Sequence, residues 1–297
     1  LKSIWYNPAN EKLYIGTHLG GLSIYDIGAK KFKTISRWTD ANMPSDVVEA
    51  IQPYNDKLII LTQKGIVQLD LKTETISSFF NDNKITNAIG LKNTSFLIDS
   101  KQNLWLAATD GGLKRYNLSK NEFKTYKHEF GKKGSIGRLN VTRIYEDRRG
   151  RMLFATVGSG LYEYLPGKDI FERYSAAENS FLSDFIYDIS ETSYGYLILL
   201  TNKGVNLFDP ETNKSIFLDK NKGLPLDMIN LGCGIYSTKN GEIFVGGTNG
   251  MVSFFENQIT PVPKDYNLFF SELYIEDELV SPANKSDILQ NTLPYEQ

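Results

Sequence analysis

The chain has 297 residues, 41% of them hydrophobic and 23% charged, with 33 Lys and Arg against 35 Asp and Glu. That is the profile of a folded globular protein; no strongly basic segment offers the phosphate contacts a nucleic-acid partner requires. The single cysteine, Cys233, excludes an internal disulfide and a multi-cysteine zinc site.

The first residues, "LKSIWYNPAN", lack an initiator methionine and a signal-peptide pattern, as expected of a piece of a longer polypeptide. From there the chain repeats. Anchor glycines recur at Gly21, Gly65, Gly112, Gly160, Gly204 and Gly250. Each is followed by an aliphatic residue: Leu22, Ile66, Leu113, Leu161, Val205 and Met251. Four residues after each stands a large apolar one: Tyr25, Leu69, Tyr116, Tyr164, Phe208 and Phe254. Seven before stand Tyr14, Leu58, Trp105, Leu153, Leu197 and Ile243. About eleven after come Phe32, Ile76, Phe123 and Phe171.

Each copy reads as four strands. In the fourth copy they are "VTRIYED", "RMLFAT", "LYEYL" and "FERYS", separated by the turn sequences "DRRGR", "VGSG" and "PGKD". Runs such as "LIILT" and "YLILLT" are apolar on both faces, as strands covered on both sides must be. Four strands per unit of about 40–50 residues is the pattern of a β-propeller. The fold class is therefore all-β, a propeller with six repeats visible over residues 1–257. A seventh repeat is expected in the parent protein. Residues 258–267, with two prolines, read as a linker. Residues 268–297 resume a strand–turn–strand pattern, the truncated start of a second β domain.

The glycines of "ATDGGLKRYN" raise the question of a phosphate cradle. A Walker loop needs Gly-Lys-Ser/Thr opening a helix, whereas Gly111 and Gly112 open a strand, so they read as a turn. His18 and His128 have no second ligand at a metal spacing. "VGSG" falls on the same turn as its sister segments and reads as structural rather than as a nucleophile elbow. Asp46, Asp184 and Asp227 recur before innermost strands, where Asp caps turns; pairing two of them as a glycosidase site stays an open alternative. Five Asn-x-Ser/Thr sequons stand at Asn93, Asn117, Asn140, Asn213 and Asn284.

The loops entering the innermost strands and those between second and third strands open on one face. That face should gather Trp38, Asp40, Asn42, Lys64, Asp110, Arg138, Asn140, Lys203, Asn230 and Asn249. Aromatic rings and planar polar groups are what holds a sugar. Trp38, an indole in a loop, stands out; Trp105 reads as core. Solvated loop residues, or contacts to a second propeller, are the competing reading of each.

"LWLAATDGGLKRYN" and "MLFATVGSGLYEY" resemble the two-component-regulator propeller repeat. It occurs in the sensor regions of hybrid two-component systems of gut Bacteroidetes. "GLPLDMINLGCGIYSTKNGEIFVGGTNGMVSFFENQI" resembles the last repeat of those sensors. There an Asn in the innermost strand precedes G-E-x-x-F-G-G-x-x-G; Asn230 and residues 241–250 match, with Val245 inserted. The tail from Tyr266 resembles the start of the immunoglobulin-like domain that follows. The resemblance implies the periplasmic sensor region of an inner-membrane histidine kinase, homodimeric, binding an oligosaccharide and controlling polysaccharide-utilisation genes. It implies no cofactor, no metal, no bound nucleic acid and no catalysis in this fragment. A scaffold or dimerisation propeller, and a propeller lyase or glycosidase, are the alternatives.

Overall fold

The computed structural model describes residues 1–80, 93–108, 112–137, 140–179, 181–226, 228–259, 274–275 and 278–279. They belong to two units, Leu1–Ile259 and Thr260–Gln297. In the second unit the described residues form one short antiparallel pair, Tyr274–Ile275 with Glu278–Leu279. The sandwich domain expected there, and the linker before it, otherwise lie outside the described residues.

The first unit is a propeller of six blades. Five are four-stranded antiparallel meanders in simple chain order, and the described residues of the sixth form three strands. They occupy residues 3–35, 48–78, 93–126, 141–174, 186–218 and 235–255. In the fourth blade the strands are Val141–Glu146, Met152–Thr156, Leu161–Leu165 and Ile170–Tyr174, each within one residue of the pattern read from sequence. One short helix, α1 (Ala176–Asn179), interrupts the connection to the fifth blade. The first strand of each blade lies beside the first strand of the next, around the axis.

Burial follows from that geometry. The second strands Lys57–Thr62, Met152–Thr156 and Leu197–Thr201 are buried at nearly every residue, because a sheet stands against each side of them. Among the described residues, five apolar seams join the six blades. Between blades one and two, Tyr14, Leu22 and Ile24 meet Leu58, Ile60 and Leu69. The third seam is the most aromatic: Trp105 and Tyr126 pack against Phe154, Tyr164 and Phe171. Trp105 is 1% exposed, and its indole N–H donates to Asp99 at 2.9 Å. A buried indole must place that donor, and Asp99 also accepts from the backbone of Lys101 and Asn103.

Two sequence columns acquire a sharper meaning. The residues four and eleven after each anchor glycine are direct cross-strand partners: Tyr25 faces Phe32, Leu69 Ile76, Tyr116 Phe123 and Tyr164 Phe171. The column seven before the glycine, by contrast, is not one structural position. Leu58, Leu197 and Ile243 face the preceding blade, whereas Tyr14, Trp105 and Leu153 face the following one. The turn explains it. Blades one and four close their second hairpin with Gly21 at φ 71° and Gly160 at φ 80°; blades two, five and six use a tighter turn with Gly65, Gly204 and Gly250 at 146°, 143° and 139°. The tighter turn is one residue shorter, and one residue flips the side of a strand.

Candidate functional site

The connections from an outermost strand to the next innermost one, and the turns between second and third strands, emerge on one face. Their bases are built alike. The hydroxyls of Thr17, Thr62, Thr156 and Thr201 each donate to the carbonyl of the anchor glycine of their own turn, at 2.7–2.9 Å. Ala108 stands in the third blade at this place, and its N–H donates to the Gly112 carbonyl at 3.0 Å. Gly112 of "ATDGGLKRYN" therefore closes a hairpin turn, and Gly111 lies outside the described residues.

The long connections carry a second anchor. Met43, Ile136, Phe181 and Leu224 are each buried in the seam below their loop. Asp46 caps the first connection: its carboxylate accepts from the Arg37 backbone at 2.9 Å and pairs with the Arg37 guanidinium at 2.8 Å. Its own carbonyl accepts from Gly21. Asp184 repeats the arrangement, taking the Ala176 N–H at 2.7 Å and the Arg173 side chain at 3.5 Å. Both aspartates are committed to their own loops, as turn caps. Asp227 lies outside the described residues.

Trp38 is 80% exposed. The Arg37 guanidinium sits 4.6 Å from its ring centroid, held from the other side by Asp46. A cation fixed against one face of an indole leaves a held aromatic plate at the loop tip. In the same loop, Asp40 accepts from the Asn42 N–H at 2.9 Å. Lys64 and Lys203 occupy the exposed tips of the tight turns, their N–H groups held by Thr62 and Thr201. Asn249 is exposed on the matching turn of the sixth blade. Asn140 is exposed, and its carbonyl accepts from Val157 at 3.1 Å, tying the long connection to the adjacent turn. Asn230 lies in the connection before Ile235–Ser237 rather than in the innermost strand; its side chain accepts from the Cys233 thiol at 3.3 Å. Asp110 and Arg138 lie outside the described residues.

Sequence reading missed two features of this face. One is Arg37, whose role depends on its neighbour Trp38 and on Asp46 nine residues on. The other is apolar: Leu19, Phe130, Phe185, Met228 and Leu231 are 43–99% exposed, all in these connections. An isolated aromatic in a lysine- and glycine-rich segment, "HEFGKKGS", is the signal that could have marked Phe130.

Nearer the axis, the innermost strands of blades two, four and five are bulged at equivalent places, between Val48 and Ala50, Val141 and Arg143, and Ile186 and Asp188. Bulges re-aim side chains. Here they set two ion pairs across blades, Lys2 with Glu49 at 3.2 Å and Arg143 with Asp188 at 3.2 Å. Burial pushes the Asp188 pKa up, against Arg143 and the N–H groups of Ile235 and Ile189, which favour its charge. Asp188 thereby joins three blades. Among the described residues no group of three or more His, Cys, Asp or Glu could hold a metal ion. His18 and His128 are exposed, and His128 contacts the Ile136 carbonyl.

Known proteins share this architecture. The extracellular domain described as that of hybrid two-component system BT3049 of B. thetaiotaomicron superposes with a TM-score of 0.69 at 20% identity, over 86% of this chain and 33% of that one. That of hybrid two-component system BT4673 gives 0.67 at 18% identity, over 85% and 32%. The fold they share is a β-propeller. In sequence, the chain is 23% identical over 317 residues to histidine kinase P4 of Formosa agariphila, covering 99% of this chain and 23% of that protein. It thus spans about a quarter of its curated relative and a third of its solved neighbours. No family model matches the propeller chain. These two solved neighbours are extracellular domains of Bacteroidetes hybrid two-component systems, the kind of protein that the sequence resembles.

Proposed function

We propose that this propeller is part of the extracytoplasmic sensor region of a hybrid two-component histidine kinase. Its loop face takes an oligosaccharide released from a polysaccharide, and the parent protein regulates genes for using that polysaccharide. In this reading the parent is an inner-membrane homodimer, the propeller lies in the periplasm, and phosphoryl transfer happens elsewhere in the polypeptide. The supporting observation is Trp38: an indole 80% exposed, backed by Arg37, on the face where turn tips differ from blade to blade while their bases repeat. A ligand there can signal only by binding two states of the sensor with different affinity.

The test is calorimetric titration of the complete sensor region against a panel of oligosaccharides, repeated with Trp38→Ala. Loss of one stacking contact worth about 0.5–1.5 kcal/mol should weaken binding by up to about tenfold, with the melting temperature unchanged. Absence of binding across a broad panel, or an unchanged Kd in the variant, would overturn the reading.

One observation favours a second reading, a scaffold or dimerisation surface. Phe130 is 99% exposed and Leu19 75%, and scattered apolar tips suit a protein partner as well as a sugar. A ligand response that survives Trp38→Ala and Asn140→Ala together would support it.

A further inference from the structure

Blade four is covered on both faces by its neighbours. A polar side chain half exposed on its innermost strand therefore opens toward the axis. Arg143 is such a side chain, 51% exposed. The same place in the repeat holds Ala50 in blade two and Ser95 in blade three, opposite Leu61 and Ala107 as Arg143 is opposite Ala155. The scaffold does not call for a guanidinium here.

Its position is fixed all the same. Nε lies 3.2 Å from the Asp188 carboxylate of blade five. Asp188 is held in turn by the N–H groups of Ile189 at 2.9 Å and Ile235 at 3.1 Å. Among the described residues the terminal nitrogens of Arg143 make no hydrogen bond. A planar guanidinium oriented from behind by a carboxylate, with two nitrogens left over, is suited to a second oxyanion.

The surroundings extend this fork into a site. Ala155 and Leu200, the strand partners of Arg143 and Asp188, each precede a threonine that closes a loop-face turn. The ion pair thus lies just beneath the loop face, between blades four and five. Phe185 spans the two turns: it bridges to Val157 in one, and its carbonyl accepts from Asn202 of the other at 3.3 Å. Phe185 is 43% exposed, and Lys203, next to Asn202, is exposed at the turn tip. Of the acids nearby, Asp188 is taken up by Arg143, and Asp184 by the Ala176 N–H and Arg173; Glu178 of α1 remains. What this sector offers a ligand is an aromatic ring beside donors on two cations.

We propose that the sector between blades four and five binds an acidic oligosaccharide. The Arg143 fork takes an oxyanion of the sugar, a uronate carboxylate or a sulfate ester, with Phe185 against a sugar ring and Lys203 at the rim. The inference rests on the sensor reading above and narrows its ligand.

The test is titration of the complete sensor region with oligogalacturonates and their carboxyl-reduced, neutral counterparts, and with sulfated galactan oligosaccharides and their desulfated forms. An acidic probe should bind at least about tenfold more tightly than its neutral counterpart, with an affinity that falls as salt is raised. Which of the two acidic sets binds identifies the oxyanion. Arg143→Lys keeps a charge against Asp188 but loses the fork, and should weaken acidic binding about tenfold. Arg143→Gln with Asp188→Asn leaves no charge unpaired and should weaken it at least as much. An unchanged Kd for acidic probes in that double variant overturns the proposal. Neutral probes that bind as tightly as acidic ones, lose affinity in Trp38→Ala and keep it in Arg143→Lys would overturn it while leaving the sensor reading standing. Absence of binding by every probe would overturn both.

Discussion

Gly160 shows how much a single position can decide. Its φ of 80° suits glycine, and an added Cβ would stand 2.2 Å from the Tyr174 carbonyl oxygen. Gly65 has φ 146° but open space around its missing Cβ. Gly160→Ala should therefore cost about 1–3 kcal/mol, backbone strain plus a clash with main chain, and Gly65→Ala distinctly less. Urea unfolding of the two variants checks the order. A reversed order would mean that the turn relaxes around Gly160. Trp105 is the other extreme: Trp105→Ala removes the largest side chain of the third seam and leaves Asp99 a lost donor, so a loss of about 3–5 kcal/mol is expected. Both residues were legible in the sequence, the glycine from its repeat and the tryptophan from its column. Trp38 was legible as a loop indole, but its cation was not, because the link from Arg37 to Asp46 exists only once the connection is folded.

At the scale of elements, the blades are held by seams and by polar latches at their ends. At the rim between blades three and four, Tyr126 and Tyr164 each donate to Asp169 at 2.7 Å, and Lys124 adds an ion pair. Burial raises the Asp169 pKa, but these bonds outweigh it and hold the carboxyl at about 2, below its ordinary 3.8. A depressed carboxylate adds stability above its unfolded pKa and loses it as the pH falls through the folded one. The latch should weaken between pH about 4 and about 2, and Asp169→Asn should flatten that limb of the acid-unfolding curve. A curve of unchanged shape would show that the latch carries no weight. The four-strand unit itself was readable from alternation and turns. What escaped was the side on which each column falls, since that depends on whether the hairpin holds one residue more or fewer. The buried anchors Met43, Ile136, Phe181 and Leu224 escaped too: a lone apolar residue in a loop has no period to betray it.

For the whole molecule, the repeat in the sequence was enough to specify six blades about one axis, because each copy buries its faces only against its neighbours. Nothing comparable marks the ligand. Charge on the loop face is mixed, the aromatic tips are few, and the residues that would choose a sugar are those that the repeat leaves free. The sensor reading therefore rests on one plate, Trp38 on Arg37, and on the company the fold keeps.

The double fastening of the loop bases carries a consequence for inheritance. A threonine hydroxyl closes most of the short turns, and a buried side chain nails each of the described long connections to its seam. The tips beyond them, Lys64, Lys203 and Asn249 among them, are exposed to solvent. Mutations there can accumulate at little cost to the scaffold, so a lineage can try new recognition surfaces on an unaltered frame. In the proposed reading, a ligand that pulled on Trp38 would pull, five residues along the chain, on Met43, which is buried in the seam between two blades.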